Sequence, residues 1–504
     1  MAATQMIDSF ENGEAVATAV EGRFGGRSVL VVGDLMLDRY LWGSVRRISP
    51  EAPVPVVHLQ RRTENPGGAA NVALNLRGLG LSVSLAGLIG NDEEGARLTA
   101  LIATAGIDDS GIVVVQGRPT ACKTRIIGEH QQMLRIDVED TSPFPEETAA
   151  TLLAQTQSLL ARQPAAVILS DYGKGALTPE LCQAVITTAR MIGIPVLVDP
   201  KGQDYTRYRG ATLVSPNRAE LALATGIASN DLGALLQAGE PLRAILDLRY
   251  LLVTLGDQGM TLLDGTTATH LPAIAKEVYD VSGAGDTVVA TVAAGLVAGL
   301  PILDALRLAN VAAGVVIGKV GTTPIGAAEL ALAISHDHAL AQSEKIRTLP
   351  ELLAQITRWR ASGDRIVFTN GCFDLLHLGH VTYLARARQA GQRLVVGLNT
   401  DRSVRALKGA SRPIVPEYGR ARVLAALAVV DAVILFEEET PIDLIRAVRP
   451  DVLAKGADYR EDQVVGGGEV KAHGGRVYLV PLEENHSSSD LIERIRATST
   501  LPLE

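Results

Sequence analysis

The sequence predicts an α/β protein with two mainly parallel, doubly wound sheets. Hydrophobic residues make up 47% of the 504 residues but aromatic residues only 4%, a balance typical of Ala, Val, Leu and Ile cores in parallel sheets covered by helices. Short apolar runs alternate with helical patterns as far as Leu332, which favours a parallel sheet. A polar and partly helical stretch then interrupts the pattern. We expect domains at 1–334 and 351–504 and a linker at 335–350.

The predicted strands fall into three groups along the chain. The large sheet takes the runs 29–32, 82–86, 167–169, 196–198, 212–214 and 251–254. Two further runs, 54–59 and 122–127, suit a small β lid over a ligand site. The second, smaller sheet takes the runs 366–369, 394–398, 432–436, 452–454 and 477–479. Because ligands bind outside the carboxyl ends of parallel strands, we expect the ligand site of the second sheet at those ends.

Residues 281–287 read V-S-G-A-G-D-T and precede an apolar segment that predicts a helix. A turn of small residues exposes backbone N–H groups, and a helix N-terminus carries a partial positive charge that suits an anion. Asp286 lies where this helix begins, and a carboxylate there can take a proton from an attacking hydroxyl. The pattern indicates phosphoryl transfer, with an ordinary glycine turn at a helix entry as the alternative.

Asn217 and Glu220 lie three residues apart in the first turn of another predicted helix. Their oxygens share one helix face and can hold Mg²⁺ through water. The pair fits a helix N-cap and its capping-box partner equally well, so both interpretations stay open here. Three more turns of Gly, Asp or Asn follow strands or begin a helix, at 33–34, 67–71 and 171–175.

Taken together and in this order, these patterns resemble the ribokinase-like carbohydrate kinases over about residues 25–330. The resemblance implies that Asp286 is the general base and that backbone N–H groups stabilise the transferred phosphoryl group. Those N–H groups belong to Gly283, Ala284 and Gly285. The resemblance also implies ATP as phosphoryl donor, bound at Asn217, Arg218, Ala219 and Glu220. Asn217 and Glu220 would hold Mg²⁺ through water.

The same resemblance implies a sugar site. The residues at the sugar would be Asp34, Gly67, Gly68, Asn71 and Asp171. Candidate contacts for an anionic group on the sugar are Lys123, Arg125, Lys174 and Lys201. A strand-end turn residue is the alternative for Asp34, and a solvated surface charge is the alternative for each cation.

A separate pattern begins after Arg365, where the strand 366–369 continues into N-G-C-F-D-L-L-H-L-G-H. His377 and His380 lie three apart at a helix entrance. They could ligate a metal, although no third ligand stands at zinc-like spacing, or they could form a structural pair. Their N–H groups could also stabilise an α-phosphate while pyrophosphate leaves, which is the interpretation we prefer.

The H-x-G-H pattern resembles the cytidylyltransferase-like nucleotidyltransferases, which implies a Rossmann-like second domain. His377, His380 and Lys408 would then be catalytic. The nucleotide would contact Gly371, Phe373, Arg412, Ser487, Ser488 and Ser489. The last three precede an apolar helix and read H-S-S-S with His486, where that family commonly has I-S-T-T, so the hydroxyls are kept but the threonine methyls are lost. A Ser-rich helix N-cap is the alternative.

Composition excludes several classes of function. The net charge of −9 argues against a nucleic-acid partner. Three scattered cysteines, Cys122, Cys182 and Cys372, are too few for a disulfide framework and favour a reducing cytoplasm. Asp8, Glu11 and Glu14 argue against a signal peptide. The apolar segment 287–303 contains Pro301 and follows the catalytic turn, so we expect a buried helix and no membrane span.

A sugar kinase joined to a nucleotidyltransferase would activate a sugar. This combination and order resemble the bifunctional enzymes of lipopolysaccharide-core biosynthesis that make ADP-heptose. The resemblance implies ATP, Mg²⁺ and sugar phosphates as ligands, and a homodimer through the kinase domain. Two alternatives stay open: another sugar kinase fused to a glycerol-phosphate cytidylyltransferase-like enzyme, and a nucleotide-binding regulatory protein without activity.

Overall fold

The structure, a computed structural model, describes residues 4–6, 10–129, 131–274, 282–319, 321, 323–361, 363–457 and 460–481. The chain forms two compact units, Met1–Ser335 and His336–Glu504. Both are α/β, so the predicted fold class is confirmed. Among the described helices, none combines the length and apolar character that a bilayer crossing needs.

The first unit contains a ten-stranded sheet. In spatial order its strands are β1 (Thr4–Met6), β14 (Ala268–Leu271), β13 (Met260–Leu263), β12 (Tyr250–Thr254), β11 (Leu213–Val214), β10 (Val196–Asp199), β9 (Ala166–Ser170), β2 (Ser28–Gly33), β5 (Ser82–Gly90) and β6 (Asp108–Val115). Neighbours are parallel except where β13 pairs with β12 and β14. The six predicted strands of this sheet are confirmed, whereas the antiparallel excursion through β13 was not predicted.

Helices cover both faces of this sheet. One face packs against α1 (Gly13–Glu21), α2 (Ala69–Leu79), α3 (Glu93–Thr104), α8 (Ala284–Val297), α9 (Ile302–Val316) and α10 (Ala327–Glu344). The other packs against α4 (Glu146–Leu160), α5 (Pro179–Met191), α6 (Arg218–Thr225) and α7 (Leu232–Ile245). Successive residues of β2 alternate between the two cores, as the period of a strand requires.

A second, four-stranded sheet forms the predicted lid. Its order is β4 (Pro55–Gly68), β3 (Leu35–Ile48), β7 (Ala121–Gly128) and β8 (Gln131–Val138). The two predicted lid runs correspond to β4 and β7. β3 was not predicted, because charged and apolar residues mix along it without clear alternation. It follows β2 after a single residue, Asp34, so the lid starts at the carboxyl edge of the large sheet.

The second unit has a five-stranded, wholly parallel sheet. Its order is β17 (Ala432–Phe436), β16 (Arg393–Asn399), β15 (Ile366–Gly371), β18 (Val452–Gly456) and β19 (Arg476–Val480). All five predicted strands are confirmed. Its helices are α11 (Leu349–Ala361), α12 (Leu378–Arg388), α13 (Asp401–Lys408), α14 (Glu417–Ala425), α15 (Ile442–Val448) and α16 (Gly467–Ala472). The strand order reverses at β15, where ligands of such sheets bind.

Much of the predicted linker is helical, since α10 extends to Glu344 and α11 begins at Leu349. The beginning of α10 contributes Leu330 and Ile334 to the core of the first unit. Ile346 forms a parallel bridge with Val433 within the second unit.

Candidate active sites

The predicted catalytic turn of the first unit begins helix α8. Gly283 caps the helix with a left-handed φ of +80°, a conformation that favours glycine, and Asp286 is the third helical residue. A Cβ atom added at Gly285 would meet no other atom within 4 Å. The backbone of this turn therefore borders open space, as a phosphate-binding helix N-terminus must. Val281 lies outside the described residues.

The carboxylate of Asp286 is 3% exposed and is held by two donors. Asn71 Nδ2 donates to Oδ2 and the Tyr172 hydroxyl donates to Oδ1, each at 2.7 Å. Burial raises the pKa of Asp286 to about 6, while the hydrogen bonds from Asn71 and Tyr172 act to lower it. Such a carboxylate is ionised at neutral pH and still basic enough to accept a proton.

A cavity of about 650 Å³ adjoins this turn. It brings together five of the predicted nucleotide contacts, Asn217, Arg218, Ala219, Ala284 and Gly285. Its apolar walls include Met260, Ile274, Val288 and Ile317. The volume and the mainly apolar lining suit a nucleoside, and the predicted phosphate-binding turn lines one side of the cavity through Ala284 and Gly285.

Asn217 and Glu220 form a complete capping box at the start of α6. Asn217 Oδ1 accepts the Glu220 N–H at 2.9 Å, and Glu220 Oε2 accepts the Asn217 N–H at 3.0 Å. The other oxygen, Glu220 Oε1, accepts from Lys201 Nζ at 2.8 Å. Of the two interpretations left open by the sequence, the cap is confirmed, and the Mg²⁺ contact stays a prediction.

A further carboxylate, Asp199, lies close enough to Asp286 and Glu220 to interact with both. Burial and the nearby carboxylates of Asp286 and Glu220 raise the pKa of Asp199, at the end of β10, well above its ordinary value. Within the described parts of the chain no group of three His, Cys, Asp or Glu side chains could enclose a metal ion. Asp199 was not predicted.

On the lid side of Asp286, the structure places a carboxylate that the sequence analysis missed. Asp38, in β3, is 4% exposed and pairs with Arg125 at 2.5 Å. A Cβ atom added at Gly67 would lie 2.4 Å from Asp38 Oδ2, so the predicted glycine makes room for this carboxylate. Burial lowers the pKa of the neighbouring Lys123. The available signal was an acid that follows three apolar residues, at the fourth position after Asp34.

The carboxylates of Asp34 and Asp171, both predicted at the sugar, accept hydrogen bonds from other groups of the protein. Asp34 accepts the N–H groups of Tyr172, Lys174 and Ala176 at 2.8–3.0 Å. Asp171 accepts the Gly173 N–H at 2.7 Å and the Tyr208 hydroxyl at 2.5 Å. These carboxylates order the loop after β9, and their sugar contacts stay predictions. Gly68, also predicted at the sugar, forms the turn before α2 with a φ of +59°. Lys174 forms an ion pair with Glu139 at 2.6 Å.

In the second unit, His377 and His380 lie together at the start of α12. His377 is the N-cap, and the two imidazole rings stack with their centroids 3.9 Å apart. Phe373 packs 5.2 Å from His380. Burial, His377 and Lys408 lower the pKa of His380 to about 4. His380 is therefore neutral at physiological pH, so its predicted role is that of an uncharged N–H donor.

The loops beside this pair are held by arginines. Arg412 pairs with the buried Asp374 at 2.8 Å, so this predicted phosphate contact has a protein partner. Arg420, which the sequence analysis missed, has a fully buried side chain. It donates to the carbonyls of Cys372 (2.6 Å) and Asn399 (2.8 Å) and pairs with Asp401 at 2.7 Å. It thereby ties the ends of β15 and β16 to α13.

Lys408 ends α13, and its charge reaches both His380 and Cys372. A Cβ atom added at Gly371 would lie 3.0 Å from the Phe373 ring, so the two predicted nucleotide contacts pack on each other. Phe373 has a left-handed φ of +43°. Ser487, Ser488 and Ser489 lie outside the described residues.

Comparisons with known proteins divide the chain in the same way. Residues 27–327 match the pfkB family of carbohydrate kinases, and residues 368–494 match the cytidylyltransferase-like family. The bifunctional protein HldE of Magnetococcus marinus is 57% identical over 95% of this chain and 99% of its own. HldE of Methylobacillus flagellatus is 56% identical over 96% of this chain and 99% of its own.

Among solved structures, phosphofructokinase-2 from Escherichia coli in complex with substrates and products has a TM-score of 0.52. It is 19% identical and covers 62% of this chain and 99% of its own. At that identity the likeness concerns the fold of the first unit.

Proposed function

Because the chain belongs to the HldE family of bifunctional proteins, we propose that its two units catalyse two steps in the activation of one sugar. The chain is an enzyme with a kinase and a nucleotidyltransferase activity. Its first reaction converts D-glycero-β-D-manno-heptose 7-phosphate and ATP to the 1,7-bisphosphate and ADP. A separate phosphatase removes the 7-phosphate. The second reaction joins AMP from ATP to heptose 1-phosphate, giving ADP-heptose and pyrophosphate for lipopolysaccharide.

The observation that carries the kinase reaction is the buried Asp286 beside the 650 Å³ cavity. The anomeric hydroxyl gives its proton to Asp286 while its oxygen attacks the γ-phosphorus of ATP, and ADP leaves. The N–H groups of the turn 283–285 lie where charge develops on the transferred phosphoryl group. Mg²⁺ bound with ATP near Asn217 and Glu220 would supply further neutralisation of phosphate charge.

The sugar 7-phosphate is the anionic group that the cations beside the lid would contact. Lys123, Arg125 and Lys174 lie near carboxylates of this region, namely Asp38 and Glu139. A dianionic phosphate can replace these carboxylates as the ion-pair partner of the cations. Asp38, adjacent to Gly67, is then a further candidate for holding sugar hydroxyls, since a carboxylate accepts from two of them.

In the second unit, a phosphate oxygen of heptose 1-phosphate attacks the α-phosphorus of ATP and pyrophosphate leaves. The N–H groups of His377 and His380, at the positive end of α12, stabilise the five-coordinate phosphorus. Lys408 adds positive charge on the same side. Family membership favours this pairing of reactions over the two alternatives left open by the sequence.

We also propose a homodimer through the kinase unit, in the cytoplasm. Its lid sheet exposes large apolar side chains, including Leu59 (53%), Leu134 (54%) and Val138 (49%). Burying such side chains against a second copy removes apolar area from water. Sedimentation of residues 1–335 alone distinguishes this dimer from a monomer.

Each unit is expected to fold and work without the other when the chain is cut between 335 and 345. Such a cut keeps Leu330 and Ile334 in the first core and leaves Ile346 beside Val433. Fragments 1–335 and 345–504 should each keep one activity, measured separately and as a mixture. A folded fragment that becomes active only on adding its partner would contradict the proposed boundary.

The proposed function is tested by identifying the products. The full chain is incubated with ATP, Mg²⁺ and heptose 7-phosphate, and then with ATP and heptose 1-phosphate. Mass spectrometry and phosphorus NMR should find the 1,7-bisphosphate and ADP-heptose, respectively. A panel of pentose and hexose phosphates and of other nucleoside triphosphates serves as the control, and a clear preference for one of these would replace the assignment.

A further inference from the structure

Tyr172 is a side chain of the kinase site to which neither the sequence nor the family comparison gave a role. It lies in the loop after β9, and its hydroxyl donates to Asp286 Oδ1 at 2.7 Å. Asn71 donates to the other oxygen at the same distance. Each oxygen of the carboxylate thus has its own donor, an arrangement that fixes its orientation and favours its ionised form.

We propose that Tyr172 is a positioning residue for phosphoryl transfer, which holds Asp286 ionised and aimed at the acceptor hydroxyl. The inference rests on the proposed kinase reaction, in which Asp286 is the base. It assigns to Asp34 the task of holding Tyr172 in place.

Asp34 performs this task through the backbone. It follows β2, whereas the Tyr172 loop follows the neighbouring parallel strand β9. Its buried carboxylate accepts the N–H groups of Tyr172 at 2.8 Å, Lys174 at 2.9 Å and Ala176 at 3.0 Å. These three hydrogen bonds fix the backbone position of Tyr172. The contact of Tyr172 with Asp286 therefore depends on the ends of both β2 and β9.

The charges around Asp286 make this hydrogen bond consequential. Among the described residues, Asp38 from β3 raises the pKa of Asp286 and Lys123 from β7 lowers it. Asp199 from β10 is the other carboxylate near Asp286, and burial together with the charge of Asp286 raises its own pKa well above its ordinary value. Burial keeps the pKa of Tyr172 well above its ordinary value, so Tyr172 remains a donor. Burial and the charge of Asp38 raise the pKa of Asp286, and the hydrogen bond from Tyr172 counteracts them. Without the Tyr172 hydroxyl, we therefore expect the pKa of Asp286 to rise above about 6.

The test is the pH dependence of kcat for sugar phosphorylation by full-length Tyr172→Phe. We expect the midpoint of the acid limb to move up by ~1 pH unit relative to the wild type. The rate of the variant should then be ~10-fold below that of the wild type on the acid side, with a smaller difference on the alkaline plateau. The phosphate of the substrate titrates identically in both proteins and cannot produce the difference. Tyr250→Phe is the matched control and should not move the limb, because Tyr250 lies at the amino-terminal end of β12, whereas the Tyr172 loop follows the carboxyl end of β9.

A merely structural role would lower the rate equally at every pH, and that result would overturn the inference. Nucleotidyl transfer by the other unit reports the amount of intact chain, and the melting temperature of the kinase unit reports whether Tyr172→Phe is folded. If it is not, Asp34→Asn, which keeps the hydroxyl but weakens the loop, must move the acid limb in the same direction. If the wild-type chain is inactive on heptose 7-phosphate, the proposed function is overturned. If the wild type is active and Tyr172→Phe has the same acid limb as the wild type, this inference alone is overturned.

Discussion

Asp286→Asn is expected to lower the rate of sugar phosphorylation by at least ~10²–10⁴-fold, the typical contribution of a general base. The amide keeps the shape of the side chain but cannot accept the proton of the attacking hydroxyl. Nucleotidyl transfer should be unchanged, because its residues lie in the other unit. Both rates are measured on the same preparation with ATP in excess.

Asp304→Asn is the matched control for this substitution. Asp304 is also buried at a helix start, 1% exposed, and accepts the N–H groups of Glu11 and Asn12. It lies in the first turn of α9, whereas the part of α9 that lines the nucleotide cavity starts at Asn310. We expect it to retain phosphorylation. A near-normal rate in Asp286→Asn would remove Asp286 from its role as base.

His380→Ala is expected to lower nucleotidyl transfer by ~10²–10³-fold, the usual cost of losing one donor to a transition state. His377→Ala should act in the same direction, and the kinase rate should be unchanged in both. His473→Ala, in the same unit, is the control, because its ring lies 3.3 Å from the Pro450 carbonyl oxygen, before the start of β18, whereas the His377–His380 pair follows the end of β15.

The pH dependence separates a neutral donor from a charged one. With its pKa near 4, His380 is uncharged from mildly acidic to alkaline pH, so the transfer rate should not fall as pH rises through the ordinary pKa of histidine. A fall there would indicate that the imidazolium is required. Inhibition by a zinc-selective chelator with Mg²⁺ in excess would instead favour metal ligation by the pair.

The sequence predicted those site residues whose role depends on a short local pattern. Asp286 follows a small-residue turn at a helix start, and His377 and His380 follow a strand and begin a helix, so a local pattern was enough to single out all three. Asn217 and Glu220 show the limit of such reasoning. Their spacing fits both a capping box and a pair of Mg²⁺ contacts, and only the hydrogen bonds of the folded chain revealed the capping box.

The residues that were missed act across long separations. Arg420 reaches Cys372, Asn399 and Asp401 from another helix, and Tyr172 meets Asp286 more than a hundred residues along the chain. No local pattern encodes these partners. Asp38 was overlooked for a related reason, because its strand β3 belongs to a lid whose pairing with β4 and β7 is not apparent from alternation alone.

The most direct measurement of the central claim, two independent active sites in one chain, mixes the two inactivated variants. Equimolar Asp286→Asn and His380→Ala are incubated with ATP, Mg²⁺, heptose 7-phosphate and a phosphatase specific for the 7-phosphate, and ADP-heptose is followed over time. Each variant alone should make almost none. The mixture should make it at a rate comparable to that of the wild type, because each variant supplies the site that the other lacks. A mixture as inactive as its components would contradict the account.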